Sequence, residues 1–374
     1  MGEIAVGRGN WANASARSKA RKANLLNETQ MRQLMQQGPD TIAASIADAG
    51  YSKELNLYSK RLSGADLIEA ALSHNLDRDL KEVMGYCQGR LRRIVSVFAL
   101  RFSYHNAKTV LRAVNSGISS EDLANMVLPE ENDLNTDWLE LANQSNTLAD
   151  AALSMRGTPW GSGLSGVDSD APLQAYEDAL DRHYYRDAVS ALKSSGHEHR
   201  ALLTHLRTEI DHRNIINLLR ALRQNISTDQ RSELMLDGGQ TLRDNMLRNA
   251  AQAESEDALI EVLRRLPNMD TSGLEEALQA ASEAGGLDPV VNYLESQQRD
   301  SLRRLSHRNP LSAFPVIYYL ESKVLEVRNI RLLVRGKAAG LSDEVIEAHM
   351  NLSLIHISEP TRRTPISYAV FCLK

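Results

Sequence analysis

A segment of 17 residues recurs three times along the chain without gaps, and this repetition constrains the fold more than any other feature. The copies are SYHNAKTVLRAVNSGIS (Ser103–Ser119), DHRNIINLLRALRQNIS (Asp211–Ser227) and EVRNIRLLVRGKAAGLS (Glu326–Ser342), spaced 108 and then 115 residues apart. Asn106, Asn214 and Asn329 correspond; six residues on stand Arg112, Arg220 and Arg335; then come Gly117, Asn225 and Gly340, and finally Ser119, Ser227 and Ser342. A period this long is not an ankyrin or tetratricopeptide array. It reads as three homologous helical domains, with boundaries at 8–118, 119–226 and 227–351.

Each window has the pattern of a helix, a tight stop and a second helix. Ala107, Val110, Leu111 and Val114 follow the spacing of a helix with one buried face, as do Ile215, Leu218, Leu219 and Leu222. Ile330, Leu333 and Val334 repeat it, with Lys337 closing the pattern. Gly and Asn at the stop are the residues that best tolerate a left-handed cap. An apolar residue follows, then a serine placed to cap the next helix. Acidic residues fill that helix's first turn (Glu121, Asp122, Asp229, Asp343, Glu344), where the helix dipole favours them. Ser63–Asp66 marks another helix start, and Ser272-Gly273-Leu274-Glu275 has the form of a capping box.

The Asn and Arg positions carry a second message. On a helical wheel the Asn lies about 90° from the apolar stripe and the Arg about 150° away. A merely solvated position could be Lys, Glu or Gln. Arg three times over points to a repeated contact with a neighbouring domain or a partner, with Asn106, Asn214 and Asn329 bridging helix ends. The plain alternative is shared ancestry without a present role.

Composition fits an all-α chain: Ala, Leu, Glu, Arg, Ser and Asp dominate, and there are only 10 prolines. No run of 18 apolar residues exists, so no membrane span is expected, and MGEIAVGRGN is not a secretory signal. The net charge of −5 and the 5% aromatic content argue against a nucleic-acid binder. The two cysteines exclude a disulfide scaffold. Residues 352–374 break with the helical pattern. The string LSLIHISEPTRR resembles a translated sequencing adapter, and the segment is set aside as non-native, leaving Cys87 as the lone cysteine and a charge of about −7.

Chemical motifs are sparse. Gly161-Ser162-Gly163-Leu164-Ser165-Gly166 matches GxGxxG but lacks a preceding strand, so the expectation is a surface loop within Gly157–Pro172. Glu209 and His212 form an E-x-x-H step with His205 one turn earlier, but no second step completes a di-metal set. No phosphate-binding GxxxxGK[ST] loop is present. Catalytic, metal and cofactor sites are therefore expected to be absent, and so is a small-molecule substrate. Arg17, Lys19, Arg21 and Lys22 form a basic cluster read as a solvated face or a contact with acidic partners, lipid headgroups or nucleic acid. Tyr184, Tyr185, Tyr318 and Tyr319 read as helix packing.

Several blocks resemble one family. ALDRHYY (Ala179–Tyr185), EIDHRNIINLLRA (Glu209–Ala221) and YYLESKVLEVRNIRLLVRGKAAGLSDEVI (Tyr318–Ile346) are similar to the C subunit of archaeal-type rotary ATP synthases, the relative of the vacuolar ATPase's d subunit. NWANASARSKARKANLL (Asn10–Leu26), SGADLIEAAL (Ser63–Leu72) and Gly157–Trp160 fit as well, so the likeness runs from about Asn10 to Met350. It implies a pseudo-threefold funnel of three helical domains without an active site. In that family the protein is a central-stalk socket on the cytoplasmic face of the membrane, between the central-shaft subunits and the proteolipid ring. The competing reading is a helical scaffold or adaptor unrelated to rotary motors.

Overall fold

The computed structural model describes residues 9–126, 128–193, 197–267, 269 and 271–351. They are helical, without a strand among the described residues, as an all-α chain should be. The adapter-like segment 352–374 lies outside them.

In chain order the α-helices are α1 (Trp11–Ala23), α2 (Glu28–Met35), α3 (Pro39–Ile46), α4 (Ser52–Tyr58), α5 (Gly64–Tyr86), α6 (Gly89–Asn115), α7 (Ser120–Met126), α8 (Thr136–Gln144) and α9 (Leu148–Ser154). There follow α10 (Leu173–Leu192), α11 (His197–Arg223), α12 (Thr228–Glu233), α13 (Asp244–Ala251), α14 (Glu256–Arg264), α15 (Ser272–Ala284), α16 (Asp288–Arg308), α17 (Phe314–Ala338) and α18 (Asp343–His349). Described residues up to Tyr184, with those from Leu305 onward, form one compact unit; Tyr185–Arg304 form another.

The three windows become the ends of α6, α11 and α17, and they stop through the same hydrogen bonds. Gly117 N donates to Val114 O (3.1 Å) and Ile118 N to Ala113 O (2.9 Å). The pairs recur as Asn225 to Leu222 (3.1 Å) with Ile226 to Ala221 (2.9 Å), and as Gly340 to Lys337 (3.0 Å) with Leu341 to Gly336 (2.9 Å). This is the Schellman pattern, which satisfies carbonyls that the helix end would otherwise orphan. It requires a left-handed residue, and Gly117, Asn225 and Gly340 have φ of 65°, 54° and 73°. Asn225 replaces glycine at little cost because asparagine tolerates that region.

The serines diverge in detail. Ser119 Oγ accepts from Asp122 N (3.0 Å) and Ser342 Oγ from Val345 N (3.5 Å), as capping residues do. Ser227 Oγ instead donates to the Gln230 side chain (3.0 Å) and caps no backbone N–H. The expected capping box at Ser272 does not form either. The residue preceding α15 is Thr271, without a side-chain cap, and Glu275 is drawn to Arg264, 2.7 Å away.

Each unit has its own apolar core. In the first, Ile330, Leu333 and Val334 of α17 pack with Ile68, Ala71 and Leu72 of α5 and with Ile42 and Ile46 of α3. In the second, Ile215, Leu218 and Leu219 of α11 pack with Leu259 and Leu263 of α14, Leu274 of α15 and Leu294 of α16. The apolar stripes read from the sequence are these buried faces: Ala107, Val110, Leu111, Ile215, Leu219, Ile330 and Leu333 have no solvent exposure. Their burial is the main source of helix stability here, since helix propensity alone is weak.

Candidate functional site

The recurring Asn and Arg side chains are the residues to locate first. Asn214 is fully buried and clamps a backbone 22 residues on: its Nδ2 donates to Leu236 O and its Oδ1 accepts from Leu236 N, both at 2.8 Å. Asn329 makes the same pair with Asn351, at 3.1 and 3.2 Å, again 22 residues on. A side-chain amide is suited to this because it presents one donor and one acceptor in a plane, as a backbone unit does. The equivalent residue for Asn106 is Leu128, whose N–H is already donated to Leu123 O (2.9 Å). No clamp to it forms among the described residues, and Asn106 is only half-buried.

Arg112 and Arg335 pair with carboxylates on another long helix. Arg112 on α6 holds Glu177 on α10 through two bonds, Nε to Oε1 at 2.5 Å and Nη2 to Oε2 at 3.2 Å. Arg335 on α17 holds Glu69 on α5 and reaches Asp66 at 3.2 Å. Arg220 lies exposed on α11.

Extending the register uncovers partners that the sequence reading missed. Glu69 and Glu177 both stand 37 residues before their window asparagines, Asn106 and Asn214. Two residues after the asparagines stand Lys108 and Arg331. Lys108 pairs with Asp181 (2.6 Å), and Arg331 donates to Ser73 Oγ (3.0 Å) and approaches Glu69 (3.3 Å). Ser73 and Asp181 again share a register, 33 residues before Asn106 and Asn214. The α6–α10 and α17–α5 contacts are therefore the same contact made twice. In the second window the Lys108 position is Ile216, buried in the core of the second unit.

These pairs are partly solvated; the Arg112 side chain is 37% exposed and that of Glu177 13%. Each should contribute modestly. A double-mutant cycle on Arg112→Gln and Glu177→Gln, read by denaturant melts, should return a coupling of about 0.5–1 kcal/mol. A value near zero would mean that the bidentate geometry contributes nothing to stability.

Deeper polar groups bind α17 to the amino-terminal helices. Lys323 and Glu326 are each 4% exposed and lie 2.9 Å apart. Tyr51 OH donates to Glu326 Oε2 (2.6 Å), and Lys323 Nζ donates to Tyr51 OH (2.7 Å). Leu26 N donates to the other carboxylate oxygen at 2.7 Å, so both oxygens of Glu326 are engaged. Burial beside this carboxylate holds the Tyr51 phenol well above its usual titration range. Asp79 accepts from Tyr319 OH and from Arg21 (3.0 Å). The basic cluster on α1 is partly spent in such contacts: Arg17 lies 4.6 Å over the Tyr86 ring and Lys22 4.7 Å over Tyr318.

The glycine-rich loop has a packing explanation. A Cβ on Gly161 would lie 1.9 Å from Met155 O, and one on Gly163 would meet the His183 ring 2.7 Å away. The loop turns tightly over His183, which reaches Ser162 Oγ (2.6 Å) and Pro159 O (3.1 Å), while Trp160 stacks on Trp138 at 5.1 Å. Gly161 and Leu164 are buried, so the segment is not wholly the surface connection its composition suggests. Gly163→Ala should lower stability by about 1–3 kcal/mol in a thermal melt. An unchanged melting temperature would show that His183 moves aside freely.

Glu209 of the E-x-x-H step accepts from Tyr185 OH (2.7 Å), and Cys87 is buried with its thiol pushed up to about 11 by desolvation. In the second unit a cavity of about 850 Å³ opens between α11, α16 and the 240–246 segment. Its one buried carboxylate, Asp211, already accepts from the backbone N–H groups of Gln240, Thr241 and Leu242 at 2.7–3.2 Å. Asp211 is a strut for that segment.

Long helix pairs, duplicated ion-paired contacts and buried struts make an all-helical framework. The ATP synthase (C/AC39) subunit family matches residues 14–349, and the chain belongs to that family. It is 32% identical to the C subunit of the A-type ATP synthase of Haloquadratum walsbyi over 341 residues, covering 89% of this chain and 96% of the relative. Its identity to the same-named protein of Haloferax volcanii is 29% (90% and 95% covered), and to that of Methanosarcina barkeri 28% (91% and 92%). The protein is thus a non-catalytic subunit of an A/V-type ATP synthase, with the other subunits of that membrane-associated complex as its partners. Among the described residues no helix is long and apolar enough to cross a membrane.

Proposed function

We propose that this protein is the central-stalk socket of the rotary complex, joining the central-shaft subunits to the membrane proteolipid ring from the cytoplasmic face. The observation that carries the reading is the family match over residues 14–349, nearly the whole chain. The buried ion pair and doubled clamps suit a part that must pass torque without deforming, because packed interiors transmit strain. On this reading the three segments 8–118, 119–226 and 227–351 are copies of one ancestral helical repeat. Arg112 and Arg335 then act between repeats: α6 of the first holds α10 of the second, and α17 of the third holds α5 of the first.

The test is co-purification. Tagged chain should bring down shaft and proteolipid-ring subunits together; recovery of neither would leave a helical scaffold as the better reading. A chain ending at Asn351 should do so as well as the full chain. One ending at Met350 loses both hydrogen bonds of the Asn329 clamp and should melt at a lower temperature.

A further inference from the structure

The first unit carries a basic end at which several exposed charges make no ion pair among the described residues. Asn10 Nδ2 donates to Tyr86 O (2.7 Å) and its Oδ1 accepts from Gln88 N (3.0 Å), while Ser15 Oγ donates to Ser312 O (3.3 Å). The start of α1 therefore gathers the α5–α6 turn and the α16–α17 turn at one place, since five helical residues span only about 7.5 Å. The segments meeting there, 9–20, 86–93 and 307–313, contain no Asp or Glu but hold Arg17, Lys19, Arg90, Arg92, Arg93, His307 and Arg308. Lys19, Arg92, Arg93 and Arg308 are exposed and make no ion pair among the described residues. Leu311, at the same turn, is the most exposed large apolar side chain described, at 64%.

Two physical arguments say that this end meets something anionic. First, Arg90, Arg92 and Arg93 fall within the first five residues of α6, where the helix dipole opposes positive charge. The helices that follow the windows obey the opposite rule, with Glu121, Asp122, Asp343 and Glu344 in their first turns. A local preference broken by three arginines within four residues is the kind of departure expected at a functional site. Second, the chain as a whole is net negative, so an anionic surface would repel it unless approached through this end.

We propose that this end docks on anionic phospholipid headgroups, with Leu311 entering the interface and Arg92, Arg93 and Arg308 pairing with phosphates. Guanidinium groups suit phosphate through paired N–H donors, and each basic side chain near an anionic leaflet adds to the attraction. This rests on the reading above only in placing the protein beside a membrane.

Flotation of the full chain with vesicles tests it. Vesicles of phosphatidylcholine with about one-third phosphatidylglycerol should bind about tenfold more protein than phosphatidylcholine alone, and added salt should abolish the difference. The pair Arg92→Glu and Arg93→Glu should lose about tenfold in binding, and Leu311→Ser severalfold. Arg156→Glu, an exposed arginine just after α9, should bind like the parent. If the glutamate pair fails to fold by circular dichroism, the milder Arg92→Gln and Arg93→Gln pair gives the same reading. Equal binding to neutral vesicles, or unaltered binding by the arginine variants, overturns the proposal, as does capture by the proteolipid ring in detergent with none by vesicles. The last result would leave the socket reading standing, so the two fail separately.

Discussion

Replacing Lys323 with methionine should destabilise the protein by about 3–5 kcal/mol, the largest effect expected of any single change to the polar interior. The substitution keeps the stem but removes the ammonium, leaving the Glu326 carboxylate buried with only Tyr51 OH and Leu26 N as partners. The missing charge is the costly part: an ion taken from water must be repaid by its partner, and here the repayment disappears. Adding Glu326→Gln should recover much of the loss, because the second change removes the stranded charge. Urea melts of the parent, the single variant and the double variant measure this. A single variant within 1 kcal/mol of the parent would show that water or a shifted side chain compensates Glu326, and the buried pair would lose its assigned role.

Asn214→Ala should cost about 2–4 kcal/mol, because it strands the N–H and C=O of Leu236 in a buried place. Asn329→Ala should fall in the same range, with Asn351 the stranded residue. Asn106→Ala is expected to cost less than about 1 kcal/mol, as it breaks no such clamp. The contrast is the informative measurement, since the three positions are indistinguishable by sequence. Equal losses at all three would mean that the asparagines act through something other than the clamp.

Much of this architecture was legible beforehand, for a clear reason. Helix ends and buried stripes are local: Gly117 or Asn225 follows its apolar run within a few residues, so pattern and structure agree. The clamps and pairs are not local. Asn214 meets a backbone group, which has no residue identity to search for, and Glu69 lies 266 residues from Arg335. The Glu69–Glu177 correspondence was present in the register, but Asn292 stands at the third position and hides it from a threefold comparison. The basic cluster was readable as charge, yet its division was not. Arg21 is tied to Asp79, and Arg17 lies over Tyr86, whereas Lys19 stays exposed. Composition reports that charges exist; only packing reports which are already spoken for.

A contact repeated head to tail normally leaves one sticky face open at each end, and copies of such a molecule string together into filaments. Here the cation-bearing face of α17 is occupied by the carboxylates of α5 within the same polypeptide, so on the three-repeat reading proposed above the last copy would satisfy the first. On that reading a face that could otherwise meet a second copy is covered from inside. Reversing the charge at Glu69 would set like charges face to face on α5 and α17, and the protein would be expected to melt earlier.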